Sequence, residues 1–253
     1  MLIDNPLLLF VLCFVVLWLS AYLGSHLRRR SRTLDERVRQ DLGNVLAAAL
    51  TLLGLIIGFS FSMAVTRYDQ RKNYEEAEAN AIGTEYVRAG LLPVADAAKV
   101  RELLKAYVDQ RVLFYTTQAA DRLDKINAST ARLQNDLWSS VQSPAQAQQT
   151  PIVALAVAGM NDVLNSQGYT QAAWWNRIPA AAWALMGAIA ICCTLLLGYT
   201  SQEPMREGKW FFILPLLVSI SFLLIADLDS PRGGVIRVQP QNLLSLYSSM
   251  QTQ

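Results

Sequence analysis

The chain has 253 residues, 53% of them hydrophobic and only 17% charged, with 22 basic against 20 acidic side chains. A soluble domain carries about 25% charged residues, so this composition argues for a membrane protein, and the interspersed charge signs exclude a basic nucleic-acid-binding face. One histidine and three cysteines, without a Cys/His cluster, exclude a zinc-ligand spacing and give no disulfide framework.

The apolar residues are gathered into four charge-free segments: Pro6 to Leu23, Leu42 to Thr66, Pro179 to Ser201 and Trp210 to Ala226. A spanning helix needs roughly 17–25 such residues. Buried helices of a soluble core would show polar faces at a 3.6-residue period, and the first, third and fourth segments are apolar all round. The expectation is all-α, with four transmembrane helices at about 6–23, 42–66, 179–200 and 210–227 and a soluble helical bundle between spans two and three. The divisions are 1–66, 67–176, 177–228 and 229–253. The first segment follows no basic residue and precedes an arginine cluster, the pattern of a retained anchor and not a cleaved signal.

Trp18, Tyr22, Trp174, Trp175, Tyr199 and Trp210 lie near span ends, where amphipathic rings favour the membrane interface. Pro215, one turn into the fourth span, introduces a tolerable kink. Cys13, Cys192 and Cys193 lie inside spans and read as small packing residues.

Between spans two and three, Ala77 to Ala89 extends span two. Val100, Leu103, Leu104, Tyr107, Val108, Val112 and Tyr115 recur at helical steps. Leu123, Ile126, Leu133 and Leu137 mark another helix, and Ile152 to Leu164 a further one. Leu91-Leu92-Pro93 breaks the pattern, and Ser143 to Pro151 reads as a loop. The region is a bundle of three or four helices. No catalytic constellation, phosphate loop or metal spacing is visible, so no enzyme activity, metal or cofactor is expected. Asp121 with Asp124, and Glu75, Glu76 and Glu78, read as acids on solvated helix faces.

Gly58-Phe59, followed by Val65-Thr66-Arg67 and an aromatic, resembles the second membrane helix of bestrophins. So does the layout of two spans, a helical region, two spans and a tail. Glu78-Ala-Asn-Ala-Ile-Gly-Thr-Glu-Tyr86, Leu91-Leu-Pro93, Lys105-Ala-Tyr-Val-Asp109 and Leu228-Asp-Ser-Pro-Arg-Gly-Gly-Val-Ile-Arg237 are similar to signatures of a prokaryotic bestrophin-like family of unassigned function. The resemblance implies a multi-pass protein of the bacterial inner membrane and a homopentamer. Its subunits would conduct small inorganic ions through a central pore lined by span two. Carried over through Gly58-Phe59, it puts Thr51, Leu55 and Phe59 in an apolar neck that gates by dewetting. Ser62 or Met63 follows, and Arg67 stands near the mouth, where it would attract anions.

Other roles stand beside these. Gly54 and Gly58, with Ser62 one turn on, form a GxxxG face for close helix packing. Leu55 and Phe59 serve equally against lipid or core, and Arg67 can snorkel to headgroups. A membrane-anchored helical scaffold or sensor without conductance is the alternative function. The chain also departs from bestrophins. Only Asp227 and Asp229 follow the last span, so calcium activation is not expected, and Tyr68-Asp69 replaces the paired tryptophans after span two.

Bestrophins keep the soluble region in the cytoplasm, but the charges here point the other way. Arg28, Arg29, Arg30, Arg32, Arg37 and Arg39 lie between spans one and two, and Arg206 and Lys209 between spans three and four. The positive-inside rule makes both loops cytoplasmic and puts 67–176 and both termini outside. Arg67, Arg71 and Lys72 weigh against this, though a long domain counts less. Alkaline phosphatase fused after Gln253 is therefore expected to be active. Fluorescence of a cytoplasm-only reporter at the same position would overturn the orientation.

Overall fold

A computed structural model describes residues 5–30, 35–201 and 211–252. Eight α-helices are found among them: α1 Pro6–Arg30, α2 Glu36–Arg88, α3 Val94–Thr116, α4 Ala120–Ala147, α5 Pro151–Trp175, α6 Ala180–Thr200, α7 Ile213–Asp229 and α8 Gln241–Gln251. A 3-10 turn at Ala89–Leu91 follows α2, and no strand occurs among the described residues. Arg32, Arg206, Lys209 and Trp210 lie outside the described residues.

Three helical stretches, Pro6–Arg29, Glu36–Leu91 and Pro151–Thr200, contain windows long and apolar enough to cross a membrane. α7, expected as the fourth span, has 17 residues, at the short end of the range of about 17–25. Pro215 is the third residue of α7 and not one turn inside it. Its missing N–H is one that the first turn leaves without an intrahelical partner anyway, so the expected kink has no cause.

The chain divides into two compact units, Met1–Arg67 with Arg177–Arg237, and Tyr68–Asn176 with Val238–Gln253. In the first unit, α1 packs along α6 and α7. The contact is made by small residues. Ser20, Ala21, Gly24 and Ser25 of α1 are buried, as are Ala190, Cys193, Thr194 and Gly198 of α6. A Cβ on Gly24 would collide with the Leu195 carbonyl oxygen, and one on Gly198 with that of Ala21. Ser20 Oγ donates to the Ile191 carbonyl at 3.0 Å across the contact. Apolar side chains gain little from leaving lipid, so close backbone approach and interhelical hydrogen bonds hold such a pair together. All three cysteines are free thiols.

In the second unit, the expected apolar face of α3 is present: Val100, Leu104, Tyr107 and Val108 are fully buried. They meet Leu137 and Val141 of α4, Ala156, Met160 and Val163 of α5, and Leu243 of α8 in one core. Trp174 belongs to this core and not to a membrane interface. Its ring lies 4.8 Å from Phe114 and 5.4 Å from Tyr115 between centroids, while its neighbour Trp175 is exposed. Two boundaries differ from expectation. α4 continues through Pro144 to Ala147. A proline in the last turn removes one backbone hydrogen bond, and here its ring is buried. α5 runs on from Leu164 to Trp175. It starts sharply because Thr150 accepts from Val153 N at 3.3 Å and Pro151 occupies the first turn.

Because the atoms facing Gly24 and Gly198 are backbone, a methyl group there must push α1 and α6 apart. Gly24→Ala and Gly198→Ala are each expected to cost about 1–3 kcal/mol, the usual range for overpacking. At Gly54 and Gly58 a Cβ meets nothing within 4 Å in the protomer, so alanine there should not lower the melting temperature of the subunit dissociated from other copies. Equal melting shifts at all four glycines would contradict this packing.

Candidate pore helix and its buried carboxylates

α2 has two kinds of face. Buried positions recur at three-, four- and seven-residue steps: Leu53, Ser60, Ala64, Arg71, Glu75, Glu78, Ile82 and Glu85. Between them lies a face that none of the described residues covers. Thr51, Gly54, Gly58, Ser62 and Met63 are exposed, Leu55 is 55% exposed and Phe59 65%. The hydroxyl of Thr51 donates to Ala47 O at 2.9 Å and that of Thr66 to Ser62 O at 2.9 Å. Both are satisfied within their own helix and need no outside partner.

Arg67, on the same helix, is turned aside. Its Nη1 lies 3.5 Å from Asp229 Oδ1, and its side chain is 12% exposed. Asp229 also accepts from Ile178 N at 3.0 Å and from Arg177 Nε at 3.4 Å. Asp227 clamps the chain beyond α7. Its two oxygens accept from Val235 N at 2.7 Å and Ile236 N at 2.8 Å. Gly234 is required there because a Cβ would collide with the Asp227 carboxylate. Both aspartates, weighed in the sequence only for calcium, thus hold backbone, and Asp229 two guanidiniums besides.

In the second unit the expectation of solvated acids fails for Glu75 and Glu78, which are 1% and 0% exposed. Glu76, Asp121 and Asp124 are exposed. Glu78 and Arg111 form a buried two-pronged ion pair, Nε to Oε1 and Nη2 to Oε2 at 3.3 Å. Thr170 Oγ1 adds a donor to Glu78 Oε2 at 3.1 Å. The Arg111 guanidinium also lies 4.4 Å over the Phe114 ring. Burial acts to lower the Arg111 pKa, but Glu78 more than offsets this and holds it above its ordinary value. Burial, with Glu78 nearby, pushes the Tyr107 and Tyr115 hydroxyls up. Glu75 caps α8: Leu243 N donates to one oxygen at 2.9 Å and Asn242 Nδ2 to the other at 2.7 Å. A carboxylate suits the positive end of a helix. These roles are hidden in the sequence because the partners lie 33, 92 and 168 residues away.

The Bestrophin-like domain matches residues 7–243 of this chain. The chain belongs to the bestrophin-like family. Among solved structures it resembles a bacterial bestrophin homologue from Klebsiella pneumoniae. A singly substituted form matches at TM-score 0.64 and 14% identity over 96% of this chain and 99% of that one. Another structure of that homologue gives TM-score 0.61, 14% identity, 97% and 95%. A further variant gives 0.58, 15%, 96% and 98%. At such identities the likeness shows the fold. None of the curated proteins compared with the chain matches it.

One carboxylate of this bestrophin-like chain stands apart. Glu85 is 0% exposed, and neither of its oxygens has a hydrogen-bond partner among the described residues. It lies beside Arg88, in space that Gly159 of α5 leaves open. Burial raises its pKa from 4.5 to about 8; Arg88 opposes the rise and Asp162 adds to it. The folded state therefore holds this proton where the unfolded chain releases it. Stability from Glu85 is fully present below about 4.5 and is lost as pH rises through about 8. Glu85→Gln should flatten the fall in urea midpoint between pH 5 and 9 and raise the midpoint at the alkaline end. A variant with the wild-type slope would contradict a buried, protonated Glu85.

Proposed function

We propose that this bestrophin-like protein is an ion channel: a homopentamer in which α2 from each subunit lines a central pore and Leu55 and Phe59 form an apolar neck. The reading includes four membrane spans, with α7 as the fourth, in the bacterial inner membrane. The observation that carries it is the bareness of α2. Only 11% of its most apolar window is buried within the subunit, against 28% and 22% for the other two membrane-competent stretches. A helix this uncovered requires lipid, further copies or a pore around it.

Leu55 and Phe59 are one turn apart on the uncovered side. Rings of such side chains narrow a pore and exclude water, so a closed neck dewets and blocks ions. Thr51 borders the neck on one side and Ser62 and Met63 on the other. The open space over Gly54 and Gly58 suits close approach by a neighbouring α2. Arg67, engaged by Asp229, contributes to the mouth as half of an ion pair and not as a bare cation. The chain would thus pass small inorganic ions without substrate chemistry.

Mass measurement of the detergent-solubilised protein should give five subunits, and planar bilayers should show single-channel currents. Phe59→Ala removes the largest neck side chain and is expected to raise conductance several-fold or change its rectification. A monomer that stays silent in bilayers would overturn the channel and leave a helical membrane scaffold.

A further inference from the structure

We infer, resting on the channel reading above, that the uncovered face of α2 selects cations, with Asp69 and Glu76 setting the sign of the selectivity. At 100° per residue, steps of three or four lead from Phe59 along one side of the unbroken helix to Thr66, Asp69, Asn73, Glu76, Asn80 and Thr84. Every one of these residues is exposed. Within about 60° of the line through Leu55 and Asn73, at that helical rotation, the only charged side chains from Leu55 to Thr84 are Asp69 and Glu76. Neither forms an ion pair among the described residues.

The cations of the same stretch are directed elsewhere. Arg67 is about 120° from that line and its charge is held by Asp229. Arg71 is 2% exposed. Lys72 is exposed but stands about 100° off the line, and with it included the exposed charge still sums to one negative per subunit. Farther along, Asn80 and Thr84 border a cavity of about 480 Å³ shared with Asn242, Ser245 and Ser249 of α8. Its walls mix these amides and hydroxyls with Ala79, Val87 and Leu246, and none of its lining residues is charged. Rings of carboxylates at a pore concentrate cations and repel anions. Seven residues separate the two acids, roughly 10 Å along the axis, comparable with the Debye length of about 8 Å at physiological salt. They therefore act nearly independently.

The test uses the full-length oligomer in planar bilayers under a KCl gradient, reading the reversal potential. The wild-type potential should lie toward that of potassium. Asp69→Asn and Glu76→Gln should each lower the potassium-to-chloride permeability ratio several-fold, roughly additively when combined. Asp69→Glu should keep the wild-type ratio, and Lys72→Gln should raise it. Raising the salt concentration should weaken the preference. A wild-type potential on the chloride side, or an unchanged potential in the double variant, overturns the inference alone. Absence of any current overturns the channel reading, and this inference with it.

Discussion

One constraint governs the molecule: a single helix of 53 residues, α2, has to satisfy hydrocarbon at one end and water at the other without breaking. At 1.5 Å per residue it is about 80 Å long, more than twice the bilayer's hydrocarbon thickness of about 30 Å. It contains no proline, so its backbone hydrogen bonds run uninterrupted. What changes along it is the chemistry of its buried stripe. Leu53, Ser60 and Ala64 are small or apolar. Arg71, Glu75, Glu78 and Glu85 are ionisable.

Charges on a buried stripe are costly unless they are answered. Three of these are. Arg71 has a partner. Glu78 has a guanidinium and a hydroxyl, and Glu75 has the N-terminus of α8. The answers to Glu78 and Glu75 tie α2 to other helices of its unit: α3 through Arg111, α5 through Thr170 and α8 through Leu243. The apolar core would accept several rotations of α2, because hydrophobic contact is non-directional. The carboxylates select one, since a half-satisfied buried pair costs far more than a shifted leucine. That fixed rotation keeps Glu78 inside and leaves Asp69, Asn73 and Glu76 outside. Glu85 is the exception, and its proton takes the place of a partner.

The first unit solves the same problem with other means. Its contacts rest on small residues and backbone approach at Gly24 and Gly198. Among the described residues, its network of charges is gathered at Asp229, the last residue of α7, which meets Arg67 midway along α2 and Arg177 and Ile178 just before α6. Asp227 secures the turn that follows. The stretch from Asp227 to Arg237 is therefore a structural clamp, in which Asp227, Asp229 and Gly234 each have a stated contact.

The sequence alone determined the all-helical class, the apolar segments and the continuation of α2 past Thr66. These depend on local composition and period, which any stretch of ten to twenty residues carries within itself. The motifs around Gly58-Phe59 and Leu228–Arg237 also pointed to the bestrophin-like family. Tertiary structure decided which acids are buried, which arginine is engaged and which glycines make contact. Gly54 and Gly58 looked like the packing pair, yet Gly24 and Gly198 are where helices meet within the subunit. Trp174 looked interfacial, yet it packs on Phe114 and Tyr115. Glu75 and Glu78 looked solvated for want of a partner four residues away, yet their partners are brought from other helices. The physical reason is the same each time. Spacing along the chain reports which face of a helix a residue occupies, and only the packing of distant helices reports what that face meets.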